Sequence, residues 1–231
     1  YNKTYFLRET VTGYESATPA KQMHEGQRDA LSLVGKYNLD LDTKVVYGLE
    51  YEMDKAEIPS NYTTQSGSSS YHSAIYAKAG EEIDSQYVDL QFRPLEKFYS
   101  TIGLRRDHHS IAGAYNTGRA TFAYKLNNNS KIRSSFGTGL RFPSLNEYYF
   151  GASVVNLSTL VPEESTSFDF GIDKNIPQHA LSFSATVFNV EYENYIGGWA
   201  SNTDSGNSYV QKNTSATNKS HGIELSSNWK P

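Results

Sequence analysis

The chain has 231 residues, no cysteine, 21 basic against 25 acidic side chains and a formal charge of −4. Without cysteine there is neither a disulfide framework nor a thiolate metal site, and a mildly acidic chain without a basic block is a poor partner for nucleic acid. No run of about 18 apolar residues exists, so no helix is predicted to cross a membrane. The segment Tyr1–Glu9 alternates from its first residues and does not have the form of a signal peptide. The residue supply favours strands and turns: 18 Tyr and 11 Phe stand against 2 Met and 2 Trp, and Ser, Thr, Asn and Gly are abundant.

Taken in chain order, about ten segments alternate apolar and polar residues, each long enough to cross a bilayer as a tilted strand. Their predicted spans are 2–10, 28–38, 44–55, 84–94, 98–106, 116–126, 131–141, 164–174, 179–193 and 207–229. Residues 71–79 read either as a further strand or as part of a loop, and 207–229 as one strand or two. In the third segment Val45, Tyr47, Leu49, Tyr51 and Met53 share one face, and Gly48, Glu50, Glu52 and Asp54 the other. Ile132, Phe136 and Leu140 oppose Arg133, Gly137, Gly139 and Arg141; Phe168, Phe170 and Ile172 oppose Asp169, Gly171 and Asp173; Ile223, Leu225 and Trp229 oppose Glu224 and Asn228.

The connections alternate in length. Short turns are predicted at Asp40–Thr43, Pro94–Lys97, Asn127–Ser130 and Asn175–Gln178, and long connections at about 11–27, 56–83, 107–115, 142–163 and 194–206. Short turns at one end and long loops at the other are the layout of an all-β transmembrane barrel, and soluble sandwiches seldom segregate their loops this way. Tyr37, Tyr51, Tyr87, Tyr99, Tyr124 and Trp229, near strand ends, suit interfacial girdles. A charge on the lipid face costs several kcal/mol at the midplane. Glu50, Glu52, Arg133, Arg141, Asp169, Asp173 and Glu224 are therefore predicted to face the lumen.

Catalytic and metal chemistry find little support. His108 and His109 beside Asp107 are adjacent on a strand and point to opposite faces, so they chelate poorly together and read as polar residues at a loop edge. Glu163 and Glu164 diverge for the same reason, with Pro162 setting the chain direction before them. Glu81, Glu82 and Asp84 lack a calcium-loop spacing and read as solvated charge. Ser66–Ser70 is a flexible tip, no nucleophile elbow or phosphate-binding glycine loop occurs, and the Asn-X-Ser/Thr triplets at Asn61 and Asn213 read as chance matches. No catalytic residue, metal or cofactor is assigned.

Five segments occur in a telling order: YSTIGLRRDHHS (99–110), SSFGTGLRFPSLNEYYFG (134–151), NLSTLVPEESTSFDFGIDK (156–174), FSATVFNVEYENYIG (183–197) and NKSHGIELSSNWKP (218–231). Together they resemble the barrel of TonB-dependent outer-membrane receptors, most of all the cobalamin-receptor branch, whose motifs siderophore receptors share. VVYGLEYE (45–52) adds weaker agreement. Two departures stand out: Arg141-Phe142 replaces a more usual Lys-Ala, and Leu160-Val161-Pro162-Glu163 replaces Leu-Lys-Pro-Glu.

The resemblance implies a transmembrane antiparallel barrel of about 22 strands, of which residues 1–231 form an internal part, with the plug domain and closing strands lying outside. It implies a non-enzymatic receptor of the outer membrane that binds cobalamin or an iron-siderophore at its external loops and imports it with energy supplied through TonB acting on the plug. Asp107 and His108 then sit at the external rim, holding the loop by hydrogen bonds. Phe142, Asn146, Tyr148 and Tyr149 are expected to contact substrate there, with Tyr71 and Trp199 as weaker candidates, because aromatics offer large contact areas with polar tips. The lumen charges are expected to face the plug. A passive porin would share the alternation but not the ordered motifs, and a secreted β-sandwich binding protein would use the alternation to mark a sandwich face.

Overall fold

The structure, a computed structural model, describes the backbone of residues 2–12, 20–66, 69–149, 160–202 and 208–229, and side chains within 26–56, 78–145, 147–148, 160–197 and 212–229. Ten strands form one antiparallel sheet in chain order: β1 (Asn2–Thr12), β2 (Ala20–Asn38), β3 (Thr43–Ser66), β4 (Ser69–Leu95), β5 (Phe98–His109), β6 (Gly113–Asn127), β7 (Ser130–Arg141), β8 (Glu163–Ile176), β9 (Leu181–Glu193) and, after a separate hairpin of β10 (Ile196–Asn202) and β11 (Ser208–Asn213), β12 (Asn218–Trp229). One short helix, α1 (Leu145–Tyr149), lies in the β7–β8 connection. The only other sheet among the described residues is the β10–β11 hairpin, so the described residues form no sandwich.

The register sorts side chains by parity. Leu33 pairs with Leu49, Val88 with Leu104, Phe136 with Phe168, and Phe170 with Val187, which in turn faces Ile223. All of these apolar side chains are exposed, which in water would be a large aggregation surface and in lipid is the expected outer belt. Above the belt the same face turns polar: Gln86, Arg106 and Asn116 are paired across β4–β6, and Thr138, Thr166, Glu191 and Lys219 across β7–β9 and β12. Lys219 and Glu191 form an ion pair there at 2.9 Å. That row marks the upper limit of the membrane-spanning part.

The four short turns gather at one end of the sheet as predicted, at 39–42, 96–97, 128–129 and 177–180. The other end differs from expectation. β3 and β4 remain paired from Glu57–Lys78 to Ser66–Ser69, so 56–83 is a long hairpin rather than a loop and 71–79 is strand. β1 and β2 pair out to Thr12 and Ala20, leaving 13–19 outside the described residues. The β5–β6 connection is only 110–112, because both strands continue to His109–Gly113. Residues 194–206 contain β10, and 207–229 divides into β11 and β12. The break follows Asn213, whose side-chain amide donates to the Val161 and Asn194 carbonyls while its oxygen accepts from Val161 N–H, tying the chain to the β7–β8 connection.

Two of the six girdle aromatics are on the opposite face. Tyr87 lies opposite Gly48 and Arg105, and Tyr99 opposite Ala123, both in the parity class of Glu50 and Arg133. Tyr87 folds its ring over Gly48, where a Cβ would come within 2.3 Å of the ring, so the glycine is a steric requirement. Tyr99 accepts a hydrogen bond from Lys125 Nζ at 3.0 Å. Each has a cation neighbour that the lipid face lacks.

The belt predicts an asymmetry. Phe170→Arg places a charge on the lipid face and should cost about 2–4 kcal/mol, while Thr121→Arg on the polar face should cost less than about 1 kcal/mol. The folded, heat-modifiable fraction of the full-length protein in outer membranes would show it; equal losses would refute the assignment of faces.

Candidate functional site

The polar face is cross-braced. Arg105 donates to Glu50 and to Asp107, each at 2.8 Å, and lies over the Tyr87 ring at 5.8 Å; Ser85 donates to Asp107 at 2.6 Å. Arg28 is bonded to Asp54 and stands 3.5 Å from Glu52. Arg133 sits opposite Gly171, with Asp169 and Asp173 two residues to either side, at 3.6 and 3.3 Å. Its guanidinium fills the space above Gly171, where a Cβ would meet it at 2.9 Å, and donates to Thr186 at 2.6 Å. Ser184 donates to Asp173 at 2.7 Å. Glu224 lies opposite Thr186 on the same face.

The seven predicted lumen residues thus share one face. Arg119, legible in the sequence as the lone charge in TGRATFAY, shares that face. It lies between Gly103 and Gly137, has no ion pair among the described residues, and lines a cavity of about 1200 Å³ together with Arg133, Asp169, Tyr99 and Arg93.

At the rim the chain leaves β7 through Arg141, Phe142 and the fully buried Pro143. Ser144 and Glu147 cap α1 reciprocally: the Glu147 carboxylate accepts from Ser144 N–H at 2.7 Å, and Ser144 Oγ accepts from Glu147 N–H at 3.4 Å. This Ser-X-X-Glu capping box was readable in the sequence but was not singled out. Arg141 clamps both ends of the connection, with two bonds to Glu163 at 2.7 Å and two to Glu147 at 3.0 and 3.1 Å. Glu163 also accepts from Ile196 N–H at 2.8 Å, fastening the β10–β11 hairpin to the same point. Glu164, by contrast, is exposed on the outer side, so the two carboxylates diverge as expected.

Beneath this clamp lies His109, only 1% exposed. Its ring stacks on Phe142 at 4.5 Å and lies 6.0 Å from the Tyr148 ring, while Tyr115 meets Phe142 edge-on at 5.9 Å. Nε2 is 3.2 Å from Glu81, and Nδ1 accepts from Ile111 N–H and Ala112 N–H, each at 3.1 Å. Two expectations are corrected. Asp107 and His109 hold the rim, while His108 is exposed; the parity that separates the two histidines buries the second. Glu81 is not solvated but buried against His109, whereas Glu82 and Asp84 remain exposed.

The proposed substrate contacts are placed unevenly. Phe142 is half-buried, and Tyr148 is 8% exposed in a cluster with Leu160, Ile196 and Ile111. Asn146 and Tyr149 lie on α1, with side chains outside the described set. Tyr71 stands on β4 opposite Thr64, and Trp199 on β10 opposite Gln211. No group of His, Asp and Glu among the described residues is arranged to hold a metal ion.

The family model described as "TonB dependent receptor-like, beta-barrel" matches residues 1–230. The chain belongs to the TonB-dependent receptor β-barrel family. Among solved structures, the copper transporter OprC is 17% identical with a TM-score of 0.75, aligned over 99% of this chain and 40% of its own. The siderophore receptor PirA from Acinetobacter baumannii is 17% identical with a TM-score of 0.69, over 98% and 38%. A variant of the ferric enterobactin receptor PfeA from Pseudomonas aeruginosa is 18% identical with a TM-score of 0.72, over 96% and 37%. The chain therefore spans about two-fifths of the length of these structures. Its ten-stranded sheet is an unclosed part of a TonB-dependent receptor barrel, whose apolar face meets lipid and whose polar face lines the lumen.

The Arg141 clamp carries a pH dependence. Burial alone raises the Glu147 carboxyl, but the bonds from Arg141 and Ser144 outweigh it and hold the group below its usual value. Hydrogen bonds from Arg141 hold Glu163 below its usual value too. Depressed carboxylates stabilise the folded rim in full above the unfolded value, about 4.3, and lose that contribution as pH falls through their lower folded values. Arg141 is half exposed, so solvent discounts the gain, and Arg141→Ala should cost about 1 kcal/mol locally. Limited proteolysis of 142–163 should be faster in the variant at pH 7, and the difference should begin to shrink as the pH falls below about 4.3 and vanish once both carboxyls are protonated in the folded rim.

Proposed function

We propose that the full-length protein is an outer-membrane active-transport receptor that captures a scarce substrate, cobalamin or an iron-siderophore, at its external loops. TonB, acting on a plug domain, supplies the energy for import, and the barrel makes and breaks no covalent bond. The observation that carries this reading is a lumen wall whose charges are fixed by ladders of ion pairs beneath a rim that Arg141 clamps shut. Such a wall offers a set pattern of charge to a plug, with Arg119, Arg133, Glu50 and Glu224 as its contacts. Membership of the family and the folds of the siderophore and copper receptors support it.

Substrate contact falls to the part of the rim not consumed by packing. Tyr148 is committed to the interior, which leaves Tyr149 and Asn146, carried on α1, and Trp199, carried on β10, as the proposed contacts. Uptake of labelled cobalamin and of a ferric siderophore by a deletion strain carrying the full-length gene tests the assignment. Uptake of one of them, abolished when TonB is deleted, is expected; TonB-independent uptake would turn the reading to a passive porin. Tyr149→Ala and Trp199→Ala should weaken binding of the transported substrate by about tenfold each, as loss of an aromatic contact implies.

A further inference from the structure

We propose that His109 positions the external rim, acting as a latch that closes with one proton on its ring and opens with two. The contacts fix the tautomer. Nδ1 faces two N–H donors, Ile111 and Ala112, each at 3.1 Å, and so must carry a lone pair. Nε2 faces the Glu81 carboxylate at 3.2 Å and so must carry the proton. The neutral ring satisfies all three partners, and its side chain is fully buried. A proton added at Nδ1 would point at both donors and break both bonds, so the closed turn could keep neither, and the N–H groups of the half-buried Ile111 and Ala112 would have to turn to water.

The consequence reaches beyond the β5–β6 turn. Ile111 packs against Tyr148, Leu160 and Ile196, which belong to α1, the entry to β8 and the β10–β11 hairpin. The His109 ring itself is the floor on which Phe142 stacks. Release of 110–112 therefore removes one wall of the cluster that holds α1 down. The charged and titratable groups around the ring are Glu81 on β4, with Asp54 and Arg28 across from it; Asp107 and Arg105 on β5; Tyr148 on α1; and Tyr115 on β6 behind Phe142. Glu81 lies at Nε2 and Phe142 against the ring face, and the Ile111 and Ala112 N–H donors lie at Nδ1. Only the donors lie at Nδ1, where the second proton must go, so protonation and the closed turn exclude each other.

The test is amide exchange at Ile111 and Ala112 in the full-length receptor, read by mass spectrometry at pH 5 and pH 8 and corrected for the intrinsic rate at each pH. Exchange in the parent protein should be about tenfold faster at pH 5, as loss of one to two net hydrogen bonds implies. His109→Asn keeps an acceptor near the Nδ1 position but cannot titrate, so it should be protected equally at both pH values. His109→Phe keeps the stacking but not the acceptor and should exchange fast at both. Glu81→Gln separates the two titrating partners: it should retain the pH dependence. Equal protection of the parent at pH 5 and 8, a pH dependence that survives in His109→Asn, or one that vanishes in Glu81→Gln would each overturn the proposal. None of these readouts involves a transported substrate, so they stand or fall apart from the receptor assignment.

Discussion

Lipid offers no hydrogen-bond partner, and everything in this sheet follows from that. Each backbone N–H and C=O within the bilayer must be satisfied by a neighbour, so the strands pair in one continuous order from β1 through β9 to β12, and where the β6–β7 ladder ends at Arg119–Gly137 the Thr138 hydroxyl accepts from Gly118 N–H instead. With the backbone committed, residue identity is left one degree of freedom, parity. Leu104 and Phe170 go out, and Arg105 and Asp169 go in. The apolar core of a soluble protein is inverted within the belt: the large apolar side chains there are exposed, while the opposite face carries the ion pairs.

That inversion explains why the lumen wall uses glycine beside large polar groups. A cation in the lumen can lie flat along the wall only if its cross-strand neighbour is small. Gly171 lets the Arg133 guanidinium settle between Asp169 and Asp173 and reach Thr186, two strands away. Gly48 does the same for the Tyr87 ring, which in turn supports Arg105. Each brace therefore ties three strands rather than two, and the wall gains stiffness where no hydrophobic packing is available to supply it. Arg119 has the small neighbours Gly103 and Gly137 but forms no ion pair among the described residues, although the Asp89 carboxylate lies over Gly103 beside it.

How much of this was legible depended on which rule governed each segment. Within the belt, parity is enforced by lipid, and the alternation of 44–55, 131–141 and 164–174 gave both the strands and the inward set from Glu50 to Glu224. Tyr87 and Tyr99 escaped because tyrosine satisfies either face, and only the register to Gly48 and Lys125 decides. Beyond the belt water satisfies loop and strand alike, so nothing in 56–83 or 107–115 announced that the hairpins continue. The rim was the least readable part. The Ser144–Glu147 cap is a local pattern and was open to view, but the Glu81–His109 contact joins residues 28 apart across a register that the sequence does not print.

The rim also shows a division of labour between its two fastenings. Arg141, half exposed, and the largely buried Glu147 and Glu163 form a charged clamp, which fixes the ends of the connection and which solvent reaches from the arginine side. His109 works beneath it in a dry site, where hydrogen bonds are stronger and an unmatched one is more damaging. A loop held only by surface charge would be loose, and one held only by buried contacts would have no graded way to release. With both, the ends of the β7–β8 connection can stay anchored at Arg141 while its middle, α1, is governed by the packing above His109. The aromatics of GTGLRFPSLNEYYFG divide along the same line: Phe142 and Tyr148 turn inward to close the latch. The helix α1 is thereby tied to the end of the sheet opposite the four short turns, through the packing of Tyr148 on Leu160, Ile196 and Ile111.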